Sequence, residues 1–201
     1  MDADWSVELG ADDPALEFPW ASADGTQRYV DLLHHPEALA DVPEALQYPE
    51  LGEFLGHVNA ASSPWLTVKC DVWFDGDLGE TETSYDATVK FCSYVDLVAR
   101  DDTARWSFER HESWVKSAAR RLDSAIEEHI AGELIVRRCW YRLLDDSKPS
   151  DHHSTAAEED PAAGYYVTLY LFGYGCDQTE ARVNWAKGLR RVTDILVALA
   201  G

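Results

Sequence analysis

The sequence has no run of apolar residues that approaches the roughly 18 needed to cross a membrane as a helix. Residues 1–13, MDADWSVELGADD, also lack the basic stretch and the apolar core of a secretory signal, because they are acidic. We therefore expect a soluble, cytoplasmic protein that has no membrane partner.

Motifs for a metal or a cofactor are missing as well. The four cysteines, Cys70, Cys92, Cys139 and Cys176, never form a Cys-x-x-Cys pair, and this excludes the usual zinc and thioredoxin-type motifs. Three of them lie in apolar runs and are expected to be buried, reduced thiols. No phosphate-binding glycine loop, dinucleotide fingerprint or Gly-x-Ser-x-Gly motif occurs. The sequence predicts no cofactor, and whether the protein is an enzyme stays open.

Negative charge is abundant and concentrated. The formal net charge is −20, and residues 1–53 carry thirteen Asp and Glu against a single basic residue, Arg28. Residues 144–161 add six acids and one lysine, so the rest of the chain is nearly neutral. A halophilic protein would instead spread its acids over every exposed surface. The concentrated charge predicts a surface that attracts a basic protein and repels nucleic acid and anionic membranes.

Periodic patterns predict four strands and two long helices. Apolar and polar residues alternate with the period of two that is typical of half-buried strands over residues 65–74, 87–99, 133–143 and 164–175. Apolar spacings of three, four and seven predict a helix from about 102 to 129. A second helix is expected to follow Asp177, because Glu180 completes a capping box with it.

The order of these elements predicts an α+β fold. Two strand–strand–helix units in succession (ββαββα) favour an antiparallel sheet with the helices packed on one face. This α+β sandwich domain is expected over residues 64–201, with a flexible acidic loop at 144–163. Residues 1–63 are interpreted as an acidic, helical N-terminal arm packed on that body.

Within this arm, the pair Pro-Glu recurs at residues 36, 43 and 49. Proline suits the first turn of a helix, where its missing N–H has no partner to lose, and the glutamate favours the positive end of the helix dipole. We therefore expect two short helical turns and a longer helix from Pro49 to about Asn59. A further helix is expected near Thr26–Leu33.

Histidine pairs invite comparison with metal sites. His152 and His153 lie in DHHSTAAEED, a segment without apolar periodicity, and metal-binding histidines are usually fixed on rigid structure. We interpret this pair as part of a solvated loop. His111 and Glu112 match half of the zinc motif His-Glu-x-x-His, but Val115 replaces the second histidine. A general acid or base role for His111 stays open.

Aromatic residues are plentiful, with eight Trp, nine Tyr and six Phe. Both faces of the last predicted strand are bulky, so the sheet face away from the helices should be covered by the arm, by a second subunit or by a ligand. The arginines of the third strand either pair with the chain's own acids or hold an anionic ligand. The candidate ligand-binding residues are Arg137, Arg138, Arg142, Trp140, Tyr166, Tyr170, Asp71 and His111.

Three functions follow as hypotheses. The first is a non-enzymatic binding protein whose acidic surface faces a basic partner, as an immunity or inhibitor protein masks its target. The alternative is a small-molecule-binding protein or enzyme with an aromatic-lined pocket, an arginine anion clamp, and Asp71 or His111 as acid or base. The third is a homo-oligomeric scaffold in which the open sheet pairs with its copy.

Overall fold

The computed structural model of the protein describes residues 1–76, 78–79, 82, 86–124, 128–142 and 162–198. His152 and His153, and all but the last two residues of the predicted acidic loop at 144–163, lie outside this described part.

The strands coincide with the segments that alternate in the sequence and include two further strands near the N-terminus. The described residues form six strands: β1 (Asp2–Glu8), β2 (Ala15–Phe18), β3 (Trp65–Asp75), β4 (Val89–Ala99), β5 (Ile130–Tyr141) and β6 (Ala162–Gly175). The helices are α1 (Pro43–Gln47), α2 (Pro49–Val58), α3 (Asp102–Arg105), α4 (Phe108–Asp123) and α5 (Gln178–Ala198), and a 3-10 helix spans Pro36–Asp41.

All six strands form one mixed sheet in the order β1-β5-β6-β4-β3, and β2 continues the β1 edge by pairing with the end of β5. β1 and β2 both run parallel to β5, with Asp2 opposite Ala131 and Phe18 opposite Tyr141. The other neighbouring pairs are antiparallel.

The predicted fold class is therefore wrong on three points. The sheet is mixed, and the order of elements is not ββαββα, because two N-terminal strands join the sheet in parallel. The N-terminus is a strand rather than the start of a helical arm. β1 adds Ala3 and Trp5 to the apolar layer beneath the helices, and Lys116 of α4 lies 4.7 Å from the Trp5 ring. Burial of these side chains favours the strand, although acids flank them in the sequence.

The helix predictions are confirmed in part. The 3-10 helix, α1 and α2 each begin at a proline, as the Pro-Glu pattern predicted. No helix forms at Thr26–Leu33, where the Asp24 carboxylate instead accepts hydrogen bonds from Ser22 and Thr26 in a tight turn. The helix predicted from about 102 is divided, because the Ser107 hydroxyl accepts a hydrogen bond from Arg110 N and caps a new helix.

The main core lies between the sheet and α2, α4 and α5. Trp185 of α5 is fully buried there, and its indole Nε1 donates a 2.8 Å hydrogen bond to Ser93 of β4. α5 approaches β6 so closely at Gly173 that a side-chain carbon there would overlap the backbone of Ala181 and Trp185. A residue without a side chain is therefore required at this crossing.

A second, smaller core lies on the opposite face of the sheet. It consists of the buried residues Leu16, Val68, Val98, Cys139, Tyr141 and Tyr166, with Phe18, Trp20 and Tyr29 packed against them. The segment that follows β2 thus covers one end of this face. Among the described helices, none has the length and apolar character needed to cross a membrane.

Candidate functional site

The rest of that second face, which we call the open sheet face, carries an aromatic row. Trp73, Tyr94, Tyr170 and Phe172 lie on three adjacent strands, with neighbouring ring centroids 6.4, 6.0 and 6.3 Å apart. The ammonium of Lys90 lies 6.0 Å from the Phe172 ring. All four rings are partly exposed, so the row offers a surface on which a flat or cationic group can pack.

A chain of polar groups crosses the same face beside the row. The Thr168 hydroxyl donates to the Asp96 carboxylate at 2.7 Å and accepts from Arg137 Nη1 at 3.1 Å. Arg137 also donates to Glu8, with Nη2 2.7 Å from the carboxylate, and its guanidinium lies 5.7 Å from the Tyr170 ring. The chain links β4, β6, β5 and β1, and it engages the Nε, Nη1 and Nη2 groups of Arg137.

Asp96 is the most unusual ionisable group on this face. Only 6% of it is exposed, and burial raises its pKa to about 6, although the Thr168 hydroxyl, Arg137 and Lys69 each favour the charged form. Lys69 is its direct neighbour on β3. A carboxyl group with a raised pKa beside a cleft is a recognised mark of functional sites and also of structural networks.

A groove of about 980 Å³ opens where the open sheet face meets the edge strand β3. Residues 26–32, 41–44 and 67–71 bound it, and the aromatic side chains of Trp20, Tyr29 and Tyr94 line it. The Trp20 indole is oriented by a 2.8 Å hydrogen bond from Nε1 to the carbonyl of Val68. Lys69 places its ammonium 5.2 Å from the Trp20 ring.

Acidic side chains outnumber basic ones around this groove, which we call the acidic groove. Its carboxylates are Asp31, Asp41, Glu44 and Asp71, and its basic side chains are Arg28, Lys69 and His35. The neighbouring Cys70 is affected by these charges: burial is the main cause that raises its pKa to about 12, and the carboxylates of Glu44, Asp71 and Asp96 raise it further. The acidic groove is thus built to attract a cation.

The structure divides the predicted ligand-binding residues into separate groups. Arg137, Tyr166, Tyr170 and Asp71 all lie on the second face of the sheet, with Asp71 at the acidic groove. The side chain of Arg138 lies on the opposite face of the sheet. It donates to the carbonyl of Leu9 at 2.8 Å and lies over Trp140. Arg142 forms an exposed ion pair with Glu17.

His111 lies apart from the aromatic row and the acidic groove, on the side of the sheet that the helices cover. It is 2% exposed, packs against Trp65 and Tyr165, and its Nδ1 lies 2.9 Å from the Ser107 carbonyl. Burial lowers its pKa, so the imidazole is neutral at pH 7 and Nδ1 is the donor of that hydrogen bond. Within the described part of the chain, Nε2 has no hydrogen-bond partner.

Several side chains of the acidic groove do not stand out in the sequence. Trp20 and Tyr29 belong to a segment whose strand and turn structure the sequence did not indicate. Asp96 carried a usable signal, because it is a charged residue in the apolar run FCSYVDLVA. Nothing local in the sequence shows that it is buried beneath Lys69 and Thr168.

No family model, curated protein or solved structure matches this chain. Over the described ranges, no cluster of three or more His, Cys, Asp or Glu side chains is arranged to hold a metal ion. Among the described residues, the acidic groove combines the geometry and the charge that best fit a binding site.

Proposed function

We propose that the protein is a non-enzymatic binding protein whose acidic groove docks a basic segment of a partner protein. The observation that carries the proposal is the combination of four carboxylates with three aromatic rings around one groove of about 980 Å³. Carboxylates steer a basic partner toward the surface, and aromatic faces hold cationic side chains at close range.

The distribution of ion pairs supports the choice of this surface. Glu8, Glu17 and Glu50 of the N-terminal region each pair with an arginine of the body of the protein. Among described residues, neither Asp41 nor Glu44 has such an ion pair, although both line the acidic groove. Their charges are therefore available to a partner, whereas those of the paired glutamates serve the fold.

The same contacts weigh against an arginine clamp for an anionic ligand. Arg137 has a side chain that is only 10% exposed, and its donors already serve Glu8 and Thr168. An anion would have to displace the Glu8 carboxylate and would approach a strongly acidic surface. The small-molecule alternative stays a hypothesis, with the partly exposed aromatic row as its best location.

Titration with a synthetic peptide of alternating lysine and serine tests the proposal. Binding is measured by calorimetry for the wild type and for the double variant Asp41→Asn/Glu44→Gln. A matched control, Asp123→Asn/Glu128→Gln, removes the same charge from exposed positions outside the groove. We expect the groove variant to bind roughly tenfold more weakly, with a smaller salt dependence, and the control to change by about twofold at most.

Equal weakening of both variants would show that only net charge matters, and the proposal would then fail. Failure of the wild type to bind the peptide at low salt would also reject it.

A further inference from the structure

We infer that the face of the Trp20 indole is an alkylammonium subsite of the acidic groove, and that Lys69 occupies it as an internal competitor for the partner's lysine. This inference rests on the proposed function and names the chemical group that the groove recognises. A partner lysine would take the place that Lys69 holds in the structure.

The Trp20 ring is held in a fixed orientation. Its Nε1 donates a 2.8 Å hydrogen bond to Val68 of the edge strand, and the ring packs against the smaller core. The Lys69 ammonium lies 5.2 Å from the ring centroid, inside the distance of about 6 Å over which a ring face attracts a cation. The protein therefore already displays, with its own side chain, the contact that a ligand ammonium would make.

Lys69 is held less firmly than the other lysines that lie over aromatic rings. Lys90 is ion-paired with Glu82 at 2.8 Å, and Lys116 is ion-paired with Glu112 at 2.9 Å. Lys69 has an exposed side chain and, among the residues that the structure describes, no ion pair within 4.0 Å. A lysine that lies over a ring face, near the buried Asp96 but without an ion pair, is more readily displaced by a competing ammonium than one held in a salt bridge.

The surroundings select for a cation at this place. Asp71 lies two residues from Lys69 on the same strand face, and Asp41 and Glu44 line the same groove. Lys69→Gln removes the competing ammonium but keeps these carboxylates and the Trp20 ring in the sequence. The subsite should then bind an external ammonium more tightly, which is the opposite of what loss of a supporting residue would do.

Tetramethylammonium chloride is the probe, with sodium chloride at equal ionic strength as the salt control. The chemical shift of the Trp20 indole N–H, assigned with Trp20→Leu, reports binding by NMR. We compare the wild type with Lys69→Gln and with Lys187→Gln, which removes an equal charge from an exposed position outside the groove. We expect roughly three- to tenfold tighter binding for Lys69→Gln and about twofold at most for Lys187→Gln.

The inference is overturned if Lys69→Gln binds no more tightly than Lys187→Gln, or if tetramethylammonium leaves the Trp20 resonance unmoved in the Lys69→Gln variant. If the lysine-rich peptide still binds in a way that depends on Asp41 and Glu44, the proposed function survives that result. Conversely, if the Trp20 resonance shows that Lys69→Gln binds tetramethylammonium more tightly, the subsite is supported even where the peptide does not bind.

Discussion

The carboxylate of Asp96 accepts a 2.7 Å hydrogen bond from the hydroxyl of Thr168 on the neighbouring strand, at a position where only 6% of the aspartate is exposed. Burial raises the pKa of Asp96 from 3.8 to about 6. The fold therefore disfavours the ionised form, and the wild type loses stability from Asp96 as the pH rises from about 4 to above 6.

Replacement of Asp96 by Asn removes this titration. We expect the free energy of unfolding of Asp96→Asn, relative to the wild type, to rise between pH 4 and pH 8 by on the order of 2 kcal/mol. Urea unfolding at both pH values measures the change, and other titrating groups cancel in the difference between the two proteins. A difference that is the same at pH 4 and pH 8 would contradict the raised pKa.

Arg137 is expected to be a structural residue. In Arg137→Met the loss of the guanidinium leaves Glu8 and Thr168 without their donor. The free energy of unfolding should therefore fall by about 2 kcal/mol. The matched change is Arg142→Met, whose ion pair with Glu17 is 64% and 58% exposed and should contribute less than about 1 kcal/mol. Urea denaturation compares them. If both variants are equally stable, Arg137 is free to serve a ligand instead.

Gly173 is predicted to be intolerant of any side chain. In Gly173→Ala the new carbon meets backbone atoms of Trp185 and Ala181, which cannot move without shifting α5. We therefore expect the free energy of unfolding to fall by more than about 3 kcal/mol. Gly56→Ala is the control, because nothing lies within 4 Å of the added carbon, and a helical alanine should gain up to about 1 kcal/mol. Thermal unfolding measures the stability of both variants relative to the wild type. A Gly173→Ala protein of wild-type stability would refute this close packing.

Cys176 is predicted to be the cysteine that iodoacetamide alkylates first in the folded protein. It is exposed, whereas Cys92 and Cys139 are buried. The negative charge of Glu180 is the main cause that raises the Cys176 pKa, so iodoacetamide should react slowly at pH 8. Glu180→Gln should react a few-fold faster, while Glu128→Gln should not. Mass spectrometry of the modified protein follows the rates, and an unchanged rate in Glu180→Gln would disprove the effect.

Alternation in the sequence located four of the strands, because alternate apolar side chains of each strand pack into the main core beneath the helices. Arg137 and Arg138 are consecutive residues of β5, so the alternation predicts that their side chains lie on opposite faces of the sheet. The structure confirms this. Arg137 reaches Glu8 on β1, and Arg138 reaches the carbonyl of Leu9 just beyond it. The alternation of Ala3, Trp5 and Val7 was a usable signal for β1, but the intervening acids favoured the interpretation as an arm.

Pairing across long sequence distances was out of reach. Nothing local in MDADWSVELG indicates that residues 2–8 add a parallel strand to β5, because a parallel neighbour requires no turn signal in the sequence. The acidic groove shares this limit, since Trp20 meets Val68 and Lys69 only after the chain has wrapped around the edge of the sheet. Charge placement predicted an acidic surface, but it did not indicate which acids pair within the fold.

The parallel pairing of β1 with β5 has a consequence for synthesis. Glu8 and Arg137, which meet across this pair, are 129 positions apart. While a ribosome is still translating residues 9–129, Ala3 and Trp5 have no partner strand, and the entropy of closing so long a loop delays their capture. During that interval a chaperone, or a neighbouring nascent chain, competes for the same apolar side chains. The yield of correctly folded protein should therefore depend on translation speed.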